Sequence, residues 1–451
     1  MTYTFKKKRK PKIRLNSFQI IALGFLVVIL VGALLLMLPI SSQTREVTPF
    51  IDAAFSATTA VCVTGLVVRD TGTYWSLFGQ FIILLLIQIQ IGGLGVITVA
   101  GAFMLIAGKK IGLHQRSTLQ DAVSAPKISG IVRLTGLILK GTFMFEGAGA
   151  LLLSPVFIKD FGFFKGLWMS IFTSVSAFCN AGIDLLGVRK PFSSLTTYAN
   201  NWLVNVVIML LIIIGGIGFL TWEDVKNNKL RFRKYSLQSK IIIIATFFLI
   251  TIPATLFFFL EYSSLPLSDR ILASLFQAVT PRTAGFNTTD LSEFSEAGLV
   301  TTSILMIIGG APGSTAGGMK ITTFVVLLMC MVAVIKRRSD AQILGRRVSL
   351  EVVFTSVAIL LIYLVGSVGG ALVISRIENL PFVTCLYETA SAIATVGLSL
   401  GITPGLQTAS KIILIALMYI GRIGGMTLIV AAVANKHSTE GRLPIEKITV
   451  G

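Results

Sequence analysis

The chain has 451 residues, 54% of them apolar and only 13% charged, where an ordinary soluble domain carries about 25% charge. It nevertheless has a formal net charge of +19. Scarce charge, together with several uncharged runs long enough to cross a hydrocarbon core of about 30 Å, excludes a soluble class and indicates an integral membrane protein.

Residues 1–17 form a basic arm with Lys6, Lys7, Lys8, Arg9, Lys10, Lys12 and Arg14. The run Phe18–Leu38 that follows is of spanning length and lacks a small-residue cleavage site, so it reads as a first span and not as a cleavable signal. Further spans are expected at Leu77–Ala107, Ile131–Phe157, Trp202–Trp222, Ile241–Leu260, Leu299–Val334, Val352–Ile374 and Thr408–Ala434. Between the members of each pair lies an apolar stretch of about 12 residues, too short to cross as a helix. These stretches begin near Pro49, Phe164, Asp269 and Pro381. The expected architecture is all-α: eight transmembrane helices and four re-entrant segments in repeats 18–107, 131–222, 240–334 and 351–434, with a cytoplasmic tail at 435–451.

Sidedness follows from Lys and Arg. The arm has seven, 109–133 five, 226–240 six, 336–347 five and the tail three, so one face gathers 26 basic against seven acidic residues. The other face has 10 basic residues, Arg282 included, and 12 acidic ones. The basic face, with both termini, is expected in the cytoplasm. The net charge is therefore topology, suited to anionic lipid headgroups, and nucleic acid is not an expected partner. Cys62, Cys179, Cys330 and Cys385 all fall in apolar segments without metal-site spacing and read as small apolar residues. His114 and His437 lie in cytoplasmic segments, and the spans hold no nucleophile–base pair, which argues against an enzyme. No nucleotide-binding motif occurs, so no cofactor is expected in this chain.

Two marks recur four times. Each half-span ends in a related run closing on Gly65, Gly182, Gly285 or Gly397, at intervals of 117, 103 and 112 residues. The next helix carries Ile-Gly-Gly-Leu-Gly95, Ile-Gly-Gly-Ile-Gly218, Ile-Gly-Gly310 or Ile-Gly-Arg-Ile-Gly424, the first glycine of each lying 27, 33, 24 and 24 residues after the loop glycine. The unit is helix, short helix, glycine loop, helix, and four units around one axis set four loops at one depth.

Non-helical backbone inside a bilayer is tolerated where it is buried in protein or lines water. The four glycines permit φ > 0, which turns successive carbonyls toward the axis, where rings of carbonyl oxygens can replace the hydration shell of a potassium ion. The expected filter residues are Val63, Thr64, Gly65 and Leu66; Asn180, Ala181, Gly182 and Ile183; Thr283, Ala284, Gly285 and Phe286; and Thr395, Val396, Gly397 and Leu398. The short helices would point their partly negative C-termini at the pore beneath.

Thr395-Val396-Gly397-Leu398-Ser399 resembles the Thr-Val-Gly-Tyr-Gly run of potassium-channel filters. Together with Thr-Pro-Arg-Thr-Ala-Gly-Phe-Asn at 280–287 and Gly-Arg-Ile-Gly at 421–424, the set resembles the Trk/Ktr/HKT potassium-transporter superfamily, most of all the bacterial Ktr membrane subunit. The resemblance implies potassium uptake across the bacterial plasma membrane, a homodimer with the chain end at its interface, and a cytosolic ring of nucleotide-binding regulatory subunits.

Five glycines and Pro312 between Gly309 and Gly318 cannot hold a straight helix. By the same resemblance this stretch, with Gly309, Gly310, Gly313, Ser314, Thr315, Gly317, Gly318 and Lys320, is an intramembrane gating loop; the alternative is a static kink. Lys320 is either its cytoplasmic anchor or a snorkelling side chain. Arg422, deep in an apolar helix, reads as a charge barrier in the pore, the alternative being a partner for a short-helix C-terminus. Arg282 suits that structural role better. Glu146 is the one intramembrane acid expected, and its spacing from Lys140 argues against pairing. The chief rival function is a secondary transporter of another small cation or solute, though such folds repeat in pairs.

Overall fold

The computed structural model describes residues 17–89, 120, 130–229, 231–424 and 446. The basic arm, the first second-helix mark around Gly95 and the tail lie outside the described residues.

Helices follow the expected order. The first unit is α1 (Ser17–Met37), α2 (Phe50–Cys62) and α3 (Leu77–Ile89). The second is α4 (Ile131–Phe161), α5 (Phe163–Phe178), α6 (Trp202–Gly216) and α7 (Phe219–Asn228). The third is α8 (Leu237–Leu260), α9 (Leu267–Val279), α10 (Glu296–Ile307) and α11 (Ile321–Ile335). The fourth is α12 (Leu350–Glu378), α13 (Phe382–Ala394) and α14 (Thr408–Ile423). A two-stranded hairpin, β1 (Gln342–Ile343) with β2 (Arg346–Arg347), joins the last two units.

Local chemistry fixes the helix starts. Pro49, Pro266 and Pro381 precede α2, α9 and α13, where a missing N–H costs nothing. Asn201, Ser236 and Ser295 cap α6, α8 and α10 with side-chain oxygens. Four described helices are long and apolar enough to cross a membrane, and many of their aliphatic side chains remain exposed, as lipid-facing helices require.

The expected single spans Trp202–Trp222 and Leu299–Val334 are both broken. Gly218 has φ +89, and α7 turns 94° away from α6. Ile308–Lys320 is non-helical between α10 and α11. The breaks satisfy each other: Ala311 and Thr315 donate backbone N–H groups to the carbonyls of Gly216 and Gly215, while Phe219 donates to Gly313. Gly424, φ +86, likewise ends α14 at Ile423, so the last glycine of the second mark terminates a helix in the second and fourth units.

One contact repeats around the molecule. The second long helix of each unit packs on the short helix of the next: α3 on α5, α6 on α9, α10 on α13, and α14 back on α2. Asp52, buried in the first turn of α2, seals the last of these joints. Its two oxygens meet Lys411 on α14 and Arg69, each at 2.9 Å. Lys411→Ala strands part of a buried charge that Arg69 still partly compensates, so we expect a loss of about 2 kcal/mol, read as a melting temperature in detergent lower by a few degrees. An unchanged melting temperature would show that the joint does not depend on this pair.

Candidate functional site

Each short helix ends where the chain turns left-handed. Val63, Asn180, Thr283 and Thr395 have φ between 52° and 64°, and two residues further on Gly65, Gly182, Gly285 and Gly397 are again positive. Alternating hands at every second residue aim consecutive carbonyls to one side of the strand.

The four loops meet. A Cβ placed on Gly65 would stand 2.7 Å from the Ala181 carbonyl oxygen and 3.2 Å from the Cα atoms of both Gly182 and Gly397. One on Gly182 would stand 2.6 Å from the Ala284 oxygen; on Gly285 it would strike the Val396 oxygen, and on Gly397 the Thr64 oxygen. Each glycine thus faces the carbonyl preceding the next, in the closed order 65, 182, 285, 397. Strain and crowding together leave room for glycine alone.

Backbone donors are consumed behind the ring. Thr64, Ala181, Ala284 and Val396 return their N–H groups to carbonyls of Thr59, Ser176, Thr280 and Ser391 at 2.7–3.0 Å. Hydroxyls of Thr59 and Ser391 accept from the Gly65 and Gly397 N–H groups, and Ser176 accepts from Ile183. These hydroxyls escaped the sequence reading, although three of them recur six residues before a loop glycine. Among the described residues, the buried hydroxyls of Thr64, Thr283 and Thr395 have no hydrogen-bond partner.

Residues following the glycines line a cavity of about 500 Å³ that all four glycines border. Asp70, Asp184 and Asp290 line it, with Lys190. Burial pushes the Asp184 carboxyl up to about 6, whereas the Ser292 hydroxyl and N–H hold Asp290 below its ordinary value. Asp70 also accepts from the Phe192 N–H, and Asn287 from the Leu195 N–H, so the loops beyond the ring are stitched to one another.

The glycine-rich stretch lies on the opposite side, against residues that precede the glycines. Its base is closed by bonds between Gly309 N–H and Met319 O and between Met319 N–H and Ile307 O. The Thr315 hydroxyl reaches the Phe178 carbonyl at the end of α5 and the Asn180 side chain; a Cβ on Gly317 would strike the Thr395 hydroxyl. Three successive carbonyls of this stretch are held by two cations. Arg422 donates to Thr315 O at 2.8 Å, and Lys320 to Ala316 O at 2.8 Å and Gly317 O at 3.4 Å. The Lys320 ammonium thus folds back on its own loop.

Other expectations resolve plainly. Arg282 is buried and donates to Thr246 on α8, while its carbonyl accepts from Asn180. Lys140 is exposed and Glu146 buried, and the two do not pair. Glu146 instead accepts from Gln88 at 2.7 Å, with the Cys179 thiol 3.6 Å away, so Cys179 is more than packing. Glu388, placed by sequence on the outer face, is wholly buried behind the fourth loop and is a second sequestered acid.

Comparison with known proteins follows the same lines. A family model described as TrkH, cation transport protein, matches residues 1–440. The chain is 41% identical to the potassium/sodium uptake protein NtpJ of Enterococcus hirae, covering 99% of this chain and all of that one. It is 40% identical to the Ktr system potassium uptake protein B of Bacillus subtilis, over 96% and 97%. The fold matches the potassium transporter TrkH from Vibrio parahaemolyticus with a TM-score of 0.72 at 19% identity, over 94% of this chain and 86% of that one. With the family model spanning nearly all of it, the chain belongs to the TrkH family of cation transport proteins: it is a multi-pass membrane transporter and not an enzyme.

Proposed function

We propose that this chain takes up potassium ions across the plasma membrane through the ring at Gly65, Gly182, Gly285 and Gly397. The observation that carries the reading is the closed ring itself, in which the carbonyl before each glycine faces the neighbouring loop and three buried hydroxyls lie beside it. Such a ring suits a cation, because a potassium ion sheds water only where oxygens replace it. The orphaned hydroxyls of Thr64, Thr283 and Thr395 fit as ligands, since a buried hydroxyl left without a partner costs about 1–3 kcal/mol. Acids around the outer cavity raise the local cation concentration.

In this reading eight helices cross, four segments re-enter, and both termini are cytoplasmic. The stretch Gly309–Lys320 obstructs the path below the ring and is the gate, released when its bonds to Arg422 and Asn180 break. The relatives' names support uptake of this ion: one is a potassium/sodium uptake protein and one a potassium uptake protein, and the word "system" in the latter points to a second component. A cytosolic nucleotide-binding regulatory subunit on the basic face, and a second copy of this chain as dimer partner, complete the proposal. Lipid headgroups occupy the remaining basic surface.

Expression in a potassium-uptake-deficient bacterium, with growth scored on limiting potassium, tests the transport itself. Serine at each of the four glycines in turn should lower the potassium-to-sodium flux ratio roughly tenfold, about 1.4 kcal/mol. Unchanged ratios at all four positions would overturn the filter assignment.

Arg422 tests the gate. A guanidinium at ~8 Å from a dehydrated ion, at an effective dielectric of ~20, opposes it by roughly 2 kcal/mol, or about thirtyfold in rate. Its bond to the Thr315 carbonyl holds the loop in place as well, so both effects have one sign. Arg422→Gln should raise flux per transporter and leave ion preference largely intact. Unchanged flux with a lower melting temperature would make Arg422 a structural tie and nothing more.

A further inference from the structure

The first three units each carry an acid shortly beyond the loop glycine: Asp70, Asp184 and Asp290. Each accepts backbone N–H groups in its own outer segment. The fourth segment, Leu398-Ser399-Leu400-Gly401-Ile402-Thr403, has no acid at all. It nevertheless borders the same cavity through Ser399, Leu400, Gly401 and Thr403, and turns sharply at Gly401, φ +86.

Its anchor comes from behind. Glu388 lies on α13, wholly buried. One carboxylate oxygen accepts from the Ser399 hydroxyl and from the Leu400 N–H at 3.2 Å. The other accepts from the Thr403 hydroxyl at 2.9 Å. The Ser399 hydroxyl in turn accepts from the Gly401 N–H at 2.9 Å. Four of the five residues from Ser399 to Thr403 thus hang, directly or at one remove, on a single carboxylate. Three donors of the loop converge on one buried side chain, and each would be left unsatisfied without it, so this wall of the cavity is stiff while Glu388 holds it. The equivalent position, nine residues before the loop glycine, is Ser56, Thr173 and Phe276 in the other units, so the device belongs to the fourth alone.

We infer that Glu388 is the positioning residue of the fourth loop, fixing Leu398–Thr403 behind Gly397 and thereby setting how sharply the ring discriminates among alkali cations. The discrimination part rests on the transport reading above; the anchoring part does not. Glu388 touches no ion in this account. It acts through the segment, at the one quarter of the ring whose outer wall carries no acid of its own.

The test uses the full chain in liposomes, with potassium, rubidium and sodium fluxes measured alongside hydrogen exchange of the peptide containing Leu400. Glu388→Ala should lower the potassium-to-sodium ratio roughly tenfold and speed exchange across 398–405, because the Ser399, Leu400 and Thr403 donors lose their acceptor. Glu388→Gln, which keeps one acceptor oxygen and replaces the other with a donor, should fall between. If the alanine variant does not accumulate, Ser399→Ala and Thr403→Val remove the same bonds from the loop side. Each should shift both readouts in the same direction, and neither should add its full effect to Glu388→Gln. Normal exchange and an unchanged ratio in these variants, while the glycine-to-serine variants do lose discrimination, would overturn this inference alone. If the glycine variants also leave the ratio unchanged, the transport reading fails, and the exchange data still decide whether Glu388 anchors the segment.

Discussion

Everything in this molecule depends on what becomes of the backbone polar groups in four buried loops that lack helical bonds. A lipid environment supplies no partners, so each N–H and each carbonyl must be satisfied by protein or by what the protein carries. Here the N–H groups of Thr64, Gly65, Ala181, Ala284, Val396 and Gly397 are claimed by carbonyls and hydroxyls at the ends of the short helices. The carbonyls of Thr64, Ala181, Ala284 and Val396 in turn face the glycine of the neighbouring loop.

The same constraint explains the irregular third unit. A helix opened at Ile308–Lys320 exposes backbone groups that would be costly in lipid. The structure meets this with a second opening: the break at Gly218 frees carbonyls at Gly215 and Gly216, which take up N–H groups from Ala311 and Thr315. Two breaks in two units thus form one bonded object. Arg422 and Lys320 hold the outward carbonyls of Thr315, Ala316 and Gly317, which explains why two cations sit at this depth.

Charges elsewhere serve as joints more than as surface decoration. Asp52 ties the first unit to the fourth, Asp70 the first loop to the second, and Glu388 the fourth loop to its own short helix. All three lie around the outer half of the ring. The inner half is held by helix packing and by the glycine-rich stretch.

The four loop glycines and the break at 309–318 were legible in the sequence, because each is a composition signal and the glycines recur at near-constant spacing. The need for φ > 0 follows from local sterics at single residues, and Val63, Asn180, Thr283 and Thr395 repeat it two positions earlier. What the sequence could not reveal depends on partners far apart in the chain. The break at Gly218 is fixed by Phe219 donating to Gly313, far along the chain. The Lys320 ammonium finds its acceptors where its own loop folds under it. Glu388, midway along a short helix, counts by sequence with the outer-face acids, yet Ser399 and Thr403 close over it. Local sterics and periodicity are written in neighbouring residues; which buried donor meets which acceptor is decided only when the four units close.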